Sequence, residues 1–177
     1  MNHDNYTDRY ISDILADVKS FAMVGASANT NRPSYFAMKY MLSKGFEVIP
    51  VNPRLAGEEI LGQAVYASLA EVNRGVDVID IFRNSEAAGD VVQEVLSLQE
   101  TLTPKVIWMQ LGVRHDEAAL AAEAAGIMVV MNRCPKIEYG RLSGEIGWAG
   151  VNTGVVSSVR PVLAAGQVQN HVIGKRR

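Results

Sequence analysis

The chain has 177 residues, of which 48% are hydrophobic and 20% charged, a balance typical of one globular domain and not of a disordered chain. The formal net charge of −2 argues against nucleic acid or an anionic membrane as a partner. The single cysteine, Cys134, excludes an internal disulfide. A polar start and the lack of a long apolar run argue against a signal peptide and a membrane span, so we expect a cytoplasmic protein.

Hydrophobic periodicity predicts strands that alternate with helices along most of the chain. The predicted strands cover 21–25, 47–51, 76–82, 106–109 and 127–131, and the predicted helices cover 10–18, 32–45, 88–95 and 115–125. Pro50 favours an end or edge position for its strand. This alternation predicts an α/β fold, a Rossmann-like doubly wound and mainly parallel sheet with helices on both faces.

We expect a single domain with short additions at both ends. Residues 1–19 form an N-terminal helix that packs on the domain, 20–154 form the ligand-binding domain, and 155–177 form an extension whose polar end is mobile. In such folds ligands bind outside the carboxyl ends of the strands, and that rule selects the loops that follow each strand.

The turn after the first predicted strand reads Gly25-Ala26-Ser27 and leads to Arg32 and Pro33 at the start of a helix. The dinucleotide template G-x-G-x-x-G is matched only at its first glycine, and no Gly-Lys-Ser/Thr follows as a P-loop requires. Small residues before a helix N-terminus favour an anion, because backbone N–H groups and the helix dipole point at it. The alternative is that the glycine serves only to turn the chain tightly.

The loop after the second strand, Asn52-Pro53-Arg54, contains no carboxylate. An NAD site needs an acid here for the ribose hydroxyls, so NAD is disfavoured. A cation in its place suits a ribose that carries a phosphate, which keeps NADP open.

Arginines follow every predicted core strand, namely Arg32, Arg54, Arg83, Arg114 and Arg133. Helix N-termini disfavour cations, so arginines gathered at this edge need a counter-charge. A bound polyanion would supply it, since the planar guanidinium suits phosphate. Alternatively, some of these arginines point to solvent or pair with acids such as Asp80, Glu86 and Asp116.

Catalytic candidates are few, and we predict no catalytic residue and no metal site. Cys134 lies after Arg133, which could stabilise a thiolate or favour a mixed disulfide with a ligand thiol, but a lone cysteine at a strand end is more often a small buried hydrophobe. His115, before Asp116, is typical of a helix start. Asp80 lies inside an apolar strand and is expected to be buried and paired.

Several fragments, in this order and at these strand ends, resemble the standalone CoA-binding domain family, whose fold is similar to the amino-terminal domain of the succinyl-CoA synthetase alpha subunit. The fragments are Gly25-Ala26-Ser27, Arg32-Pro33-Ser34, Val51-Asn52-Pro53, the Asp-Ile-Phe-Arg run 80–83, the Asn-Arg-Cys-Pro-Lys-Ile-Glu run 132–138 and the late run 147–154. The resemblance covers residues 20–154.

The resemblance implies a nucleotide site for coenzyme A or an acyl-CoA. The site residues it implies are Gly25, Ala26, Ser27, Arg32, Asn52, Pro53, Arg54, Phe82, Arg83, Gln110, Gly112, Asn132 and Arg133. The synthetase relatives continue into a second domain with a phosphorylated histidine, and this sequence stops before it. The resemblance therefore favours non-catalytic CoA binding, by a CoA-carrying module or a CoA-responsive one with a protein partner or a second copy. A small NADP-dependent oxidoreductase is the alternative, although no tyrosine–lysine pair can be assigned opposite a nicotinamide.

Overall fold

Strands and helices alternate along residues 2–143, the part of the chain that the computed structural model describes. The strands are β1 (Ser20–Val24), β2 (Glu47–Val51), β3 (Glu59–Ile60), β4 (Gln63–Ala64), β5 (Val78–Ile81), β6 (Val106–Met109) and β7 (Met128–Val130). The helices are α1 (Asp8–Asp17), α2 (Pro33–Ser43), α3 (Leu69–Val72), α4 (Ser85–Ser97), α5 (Gln99–Leu102), α6 (Asp116–Ala124) and α7 (Pro135–Leu142).

The main sheet has the strand order β2-β1-β5-β6-β7, and all its neighbouring strands are parallel. The predicted Rossmann-like α/β fold is confirmed. From β1 the chain moves outward to β2 and then crosses back to β5 on the other side of β1. The chain therefore leaves β1 and β5 toward helices on opposite faces of the sheet, α2 and α4, at the point where the strand order reverses, which is where doubly wound folds form a ligand crevice.

Pro50 lies in β2 at the edge of the sheet, as predicted. Proline is tolerated there because an edge strand has a partner strand of the main sheet on one side only. The carbonyl of Pro50 accepts a hydrogen bond from the backbone N–H of Tyr66 at 3.0 Å. Tyr66 follows the antiparallel hairpin β3–β4, which periodicity did not predict because each of its strands has only two residues.

Apolar side chains fill both faces of the sheet, as parallel strands require. On one face α4 and α6 pack on Ile79, Ile107 and Val129, and on the other α1, α2 and α7 pack on Phe21 and Trp108. The carboxyl ends of the strands are held between these layers, so the loops that follow them have a rigid base.

Element ends differ from the predicted ones for local reasons. The first helix begins at Asp8, earlier than predicted, because Thr7 caps it by accepting a hydrogen bond from the backbone N–H of Tyr10 at 3.2 Å. The strand predicted over 76–82 is shorter, since the backbone N–H of Val76 bonds the carbonyl of Leu102 instead of a neighbouring strand. The late family fragment 147–154 and the predicted extension 155–177 lie outside the described residues.

Candidate functional site

A cleft of about 1000 Å³ opens at the carboxyl end of the sheet, between the loops that follow β1, β2, β5 and β6 and the first turns of α2 and α7. Its position matches the crevice expected where the strand order reverses. Of the predicted site residues, ten line it together: Gly25, Ala26, Ser27, Arg32, Asn52, Pro53, Arg54, Phe82, Arg83 and Gln110.

The other predicted site residues, Gly112, Asn132 and Arg133, lie outside the lining of this cleft. Asn132 instead holds two loops together, because its Oδ1 accepts a hydrogen bond from the backbone N–H of Gly112 at 2.8 Å. Asn132 adopts a left-handed conformation with φ of 53°. These residues shape the far side of the β6 and β7 loops and do not contact the cleft.

The first turn is built around Gly25, whose φ is +88°. A Cβ on this residue would lie 2.5 Å from the carbonyl oxygen of Phe82, which shows how closely the loops after β1 and β5 approach. Only glycine combines this φ with this approach. The turn is then closed by its own polar groups: Ser27 Oγ accepts from the backbone N–H of Asn29 at 3.2 Å, and Asn29 Oδ1 accepts from that of Asn31 at 2.9 Å.

The N-terminus of α2 faces the cleft without a side-chain cap. Arg32 occupies the cap position, Pro33 begins the helix, and the first turn contains no acidic residue. The positive end of the helix dipole is therefore not neutralised by a side chain of its own first turn. An anion in the cleft would complement it.

Asn52 connects the second loop to the first. Its Nδ2 donates to the carbonyl of Ala26 at 2.7 Å, and its Oδ1 accepts from the backbone N–H of Arg54 at 2.9 Å. This side chain fixes the position of Arg54 relative to the first turn.

The arginines that follow the strands fall into two groups. Arg32, Arg54 and Arg83 line the cleft, are exposed, and form no ion pair with any carboxylate of residues 2–143. They follow β1, β2 and β5, the neighbouring strands on one side of the sheet. This side of the cleft therefore carries positive charge that no carboxylate of the described residues compensates.

The two remaining arginines have partners elsewhere. Arg114 Nη2 lies 2.8 Å from Asp116 Oδ1 and its Nη1 lies 2.5 Å from Asp4 Oδ1. Arg133 lies over the ring of Tyr6 at 5.6 Å and its Nε is 3.8 Å from Glu138. The sequence left open that some of the five arginines pair with nearby acids such as Asp116, and Arg114 does so. The N-terminal segment adds Asp4 and Tyr6 as partners for this pair of arginines.

At the β6 end of the cleft, a buried amide and a buried carboxyl lie where the other end has exposed arginines. Gln110 is 7% exposed and donates from Nε2 to Oδ1 of the fully buried Asp80 at 2.7 Å. The other carboxyl oxygen, Oδ2, has no hydrogen-bond partner among the described residues. Burial raises the pKa of Asp80 to about 7, although the bond from Gln110 lowers it. An unpartnered buried polar atom costs about 1–3 kcal/mol, so this carboxyl is not there for stability.

Cys134 also lines this end and is buried. Burial raises the pKa of its thiol to about 11, with the nearby Asp80 adding to the shift. The thiol is therefore protonated at neutral pH and is a poor nucleophile. His115 caps α6, accepting at Nδ1 from the backbone N–H of Ala118 at 3.2 Å. In residues 2–143, no group of His, Cys, Asp and Glu side chains could hold a metal ion.

Several lining residues were not among the predicted site residues. They are Asn31, Pro33, Ser34, Phe36, Ala37, Leu111, Val113, Cys134, Lys136 and Ile137. Most lie on the first turns of α2 and α7, both of which begin with a proline. Proline at the first helical position was the sequence signal that could have found them. Phe36 and Leu111, 49% and 46% exposed, give this part of the cleft apolar surface.

None of the helices within residues 2–143 has the length and apolar character needed to cross a membrane.

Comparison with known proteins gives a consistent result. The family model described as CoA binding domain matches residues 19–140. The uncharacterized protein YneT of Bacillus subtilis is 36% identical over 129 residues, which are 73% of this chain and 91% of that protein. A solved Thermus thermophilus structure, cell-free ID.343, is 38% identical with a TM-score of 0.71 and covers 77% of this chain and 99% of its own. A solved structure of a hypothetical protein from Pyrococcus horikoshii OT3 is 35% identical with a TM-score of 0.72, and the match covers 80% of this chain and 95% of that one.

The family match spans most of the described residues and includes every loop that lines the cleft. The resemblance noted from the sequence is confirmed, and the chain belongs to the CoA binding domain family.

Proposed function

We propose that the cleft binds coenzyme A, free or acylated, and that it does so without turnover. The observation that carries the proposal is the group of three exposed arginines that form no ion pair within residues 2–143, beside the uncapped N-terminus of α2. Membership of the CoA binding domain family gives the ligand class, and these residues give the charge that would recognise it.

The positive side of the cleft suits the phosphates of this ligand. Coenzyme A carries a pyrophosphate and a ribose 3′-phosphate, and guanidinium groups bind phosphate through paired N–H donors. The first turn and the α2 N-terminus add backbone donors. Arg54, held in place by Asn52, is the candidate for the ribose phosphate, since it follows the strand whose end faces the ribose in nucleotide-binding folds.

The size of the cleft supports the same proposal. Its volume of about 1000 Å³ lies at the upper end of small-molecule sites, which run from roughly 300 to 1000 Å³. The polar side and the apolar side fit a ligand with a charged nucleotide at one end and a long neutral arm at the other.

The lack of turnover rests on Cys134 and Asp80. The raised pKa of the Cys134 thiol disfavours nucleophilic attack, and the carboxyl of Asp80 does not line the cleft. Binding therefore accounts for the cleft without a reaction. The role would be that of a carrier of CoA or a domain that reports CoA occupancy.

Calorimetry with the whole chain tests the ligand. We expect coenzyme A to bind in the micromolar range or tighter and NAD at least roughly ten-fold more weakly, because no carboxylate among residues 2–143 lines the cleft for the NAD ribose. NADP is titrated as the competing candidate, since Arg54 would also suit its 2′-phosphate.

Equal or tighter binding of NAD or NADP would contradict the proposal. Hydrolysis or acyl transfer with acetyl-CoA that is abolished in Cys134→Ser would contradict the absence of turnover.

A further inference from the structure

The cleft has two chemically different ends, set by the strand order. The arginines that have no ion pair within the described residues follow β2, β1 and β5, whereas the opposite end is formed by the loop after β6 and the first turn of α7. Gln110, Leu111, Cys134 and Ile137 lie at this second end. Its one cationic side chain within residues 2–143, Lys136, has its Nζ 6.0 Å from the ring centroids of Phe36 and Tyr40.

The side-chain amide of Gln110 is held in one orientation by Asp80. Nε2 of Gln110 donates to Oδ1 of Asp80 at 2.7 Å, and this oxygen can accept the bond whether the carboxyl is ionised or carries its proton on Oδ2. The amide oxygen, Oε1, is left without a hydrogen bond to residues 2–143, and Gln110 lines the cleft. The fixed orientation leaves the Gln110 carbonyl as an acceptor for a ligand.

Within the described residues, the side chain of Asp80 forms no hydrogen bond other than the one to Gln110. It is fully buried in the middle of β5, and its Oδ2 has no partner. An apolar residue would pack at this position as the neighbouring strand residues do. A buried acid whose only hydrogen bond holds a residue of the cleft lining indicates a positioning role.

We propose that Asp80 positions Gln110 so that Gln110 Oε1 accepts a hydrogen bond from an amide N–H of the pantetheine arm. This contact directs the arm toward β6 and α7, and the phosphates of the ligand then lie toward the arginines. This inference rests on the proposed function. The arm offers amide donors between methylene groups, so it matches an oriented acceptor beside apolar side chains. Asp80 acts through Gln110 and touches no ligand itself.

Two ligands are compared for each variant: coenzyme A, and adenosine 3′,5′-bisphosphate, which lacks the arm and the pyrophosphate group that joins it. We expect Asp80→Leu to weaken coenzyme A binding about 3- to 10-fold, the value of one lost hydrogen bond, and to leave bisphosphate binding unchanged. Gln110→Leu should give the same result. Asp80→Asn, which keeps an acceptor for Nε2, should bind coenzyme A like the wild type.

The double variant Asp80→Leu/Gln110→Leu shows whether the two residues act together. We expect it to bind coenzyme A no more weakly than Gln110→Leu alone. Additive losses, or equal losses for both ligands, would overturn the positioning role. Gln110 lies at the cleft surface, so its variant tests the arm contact even where Asp80→Leu fails to fold.

The wild type separates this inference from the proposed function. If the wild type binds coenzyme A and the bisphosphate equally well, the arm contributes nothing, and the inference fails while nucleotide binding stands. If the wild type binds neither compound, both the proposed function and the inference fail.

Discussion

Partners decide the role of each arginine that follows a strand. Arg114 faces the carboxylates of Asp116 and Asp4, which raise its pKa, so its charge is compensated within the protein. Arg54 and Arg83, exposed in the cleft, face no carboxylate of residues 2–143. The same residue type at equivalent strand ends therefore serves two purposes, one structural and one available for a ligand.

Asp80 makes the stability of the protein depend on pH. Its pKa rises from 3.8 to about 7 on burial, while Gln110 and Cys134 are the polar groups beside it. Between these pH values the folded state keeps a proton that the unfolded chain has lost. Stability due to this group is therefore fully present below about pH 4 and is lost as the pH rises to about 7.

Asp80→Asn should remove this loss of stability with rising pH, because asparagine does not titrate. We expect the free energy of unfolding of the wild type, relative to that of the variant, to fall between pH 4 and pH 8 by up to about 4 kcal/mol. Urea unfolding at several pH values measures the difference. Asp116→Asn is the matched control, because Asp116 is exposed and paired with Arg114, and the control should keep the wild-type fall over this range. Parallel curves for the wild type and Asp80→Asn would contradict the prediction.

At the scale of elements, the first turn depends on contact between two loops. Gly25 has a positive φ and lies against the backbone of Phe82, whereas Gly45 has a similar φ of +86° with open space around its Cβ position. The two glycines therefore separate the effect of backbone conformation from that of close approach.

Gly25→Ala should destabilise the protein more than Gly45→Ala. For Gly45→Ala we expect about 1 kcal/mol from the unfavourable φ alone. For Gly25→Ala we expect more than about 2 kcal/mol, since the new methyl group would also push the loops after β1 and β5 apart. Urea unfolding of both variants gives the comparison. Equal losses would show that the loops can separate without cost, and the close approach would then not define the cleft.

The elements also show what periodicity can and cannot predict. Strands β1, β2, β5, β6 and β7 were predicted because each is a short apolar run between turn signals. The hairpin β3–β4 and the short helices α3 and α5 were not, since runs of two to four residues have no period to detect.

At the scale of the whole molecule, the rule that ligands bind at the carboxyl ends of strands, together with the family resemblance, selected half of the cleft lining from sequence. It selected Arg114 and Arg133 as well, and the structure places both outside the cleft. Each of the two has a partner nearby in sequence, Asp116 for Arg114 and Glu138 for Arg133, and a second one from the N-terminal segment. Asp4 is 110 residues from Arg114, and Tyr6, beside Arg133, bonds the backbone of Met131 across 125 residues. Contacts over such distances depend on how the N-terminal segment packs, which local patterns do not encode.

The division of the arginines is the basis of the central claim, that the cleft holds the phosphates of coenzyme A. Calorimetry of coenzyme A binding to Arg32→Ala, Arg54→Ala, Arg83→Ala and the matched control Arg114→Ala tests it most directly. Each charge-assisted contact contributes about 1.5–3 kcal/mol, so each cleft variant should lose roughly 10- to 150-fold in affinity with little change in stability. Of the three variants, Arg54→Ala should show the smallest loss of affinity for dephospho-CoA.

Arg114→Ala should bind coenzyme A within about two-fold of the wild type, because Arg114 is paired away from the cleft. Normal coenzyme A binding by all three cleft variants, together with a loss of thermal stability, would show that these arginines form structural contacts and would contradict the claim.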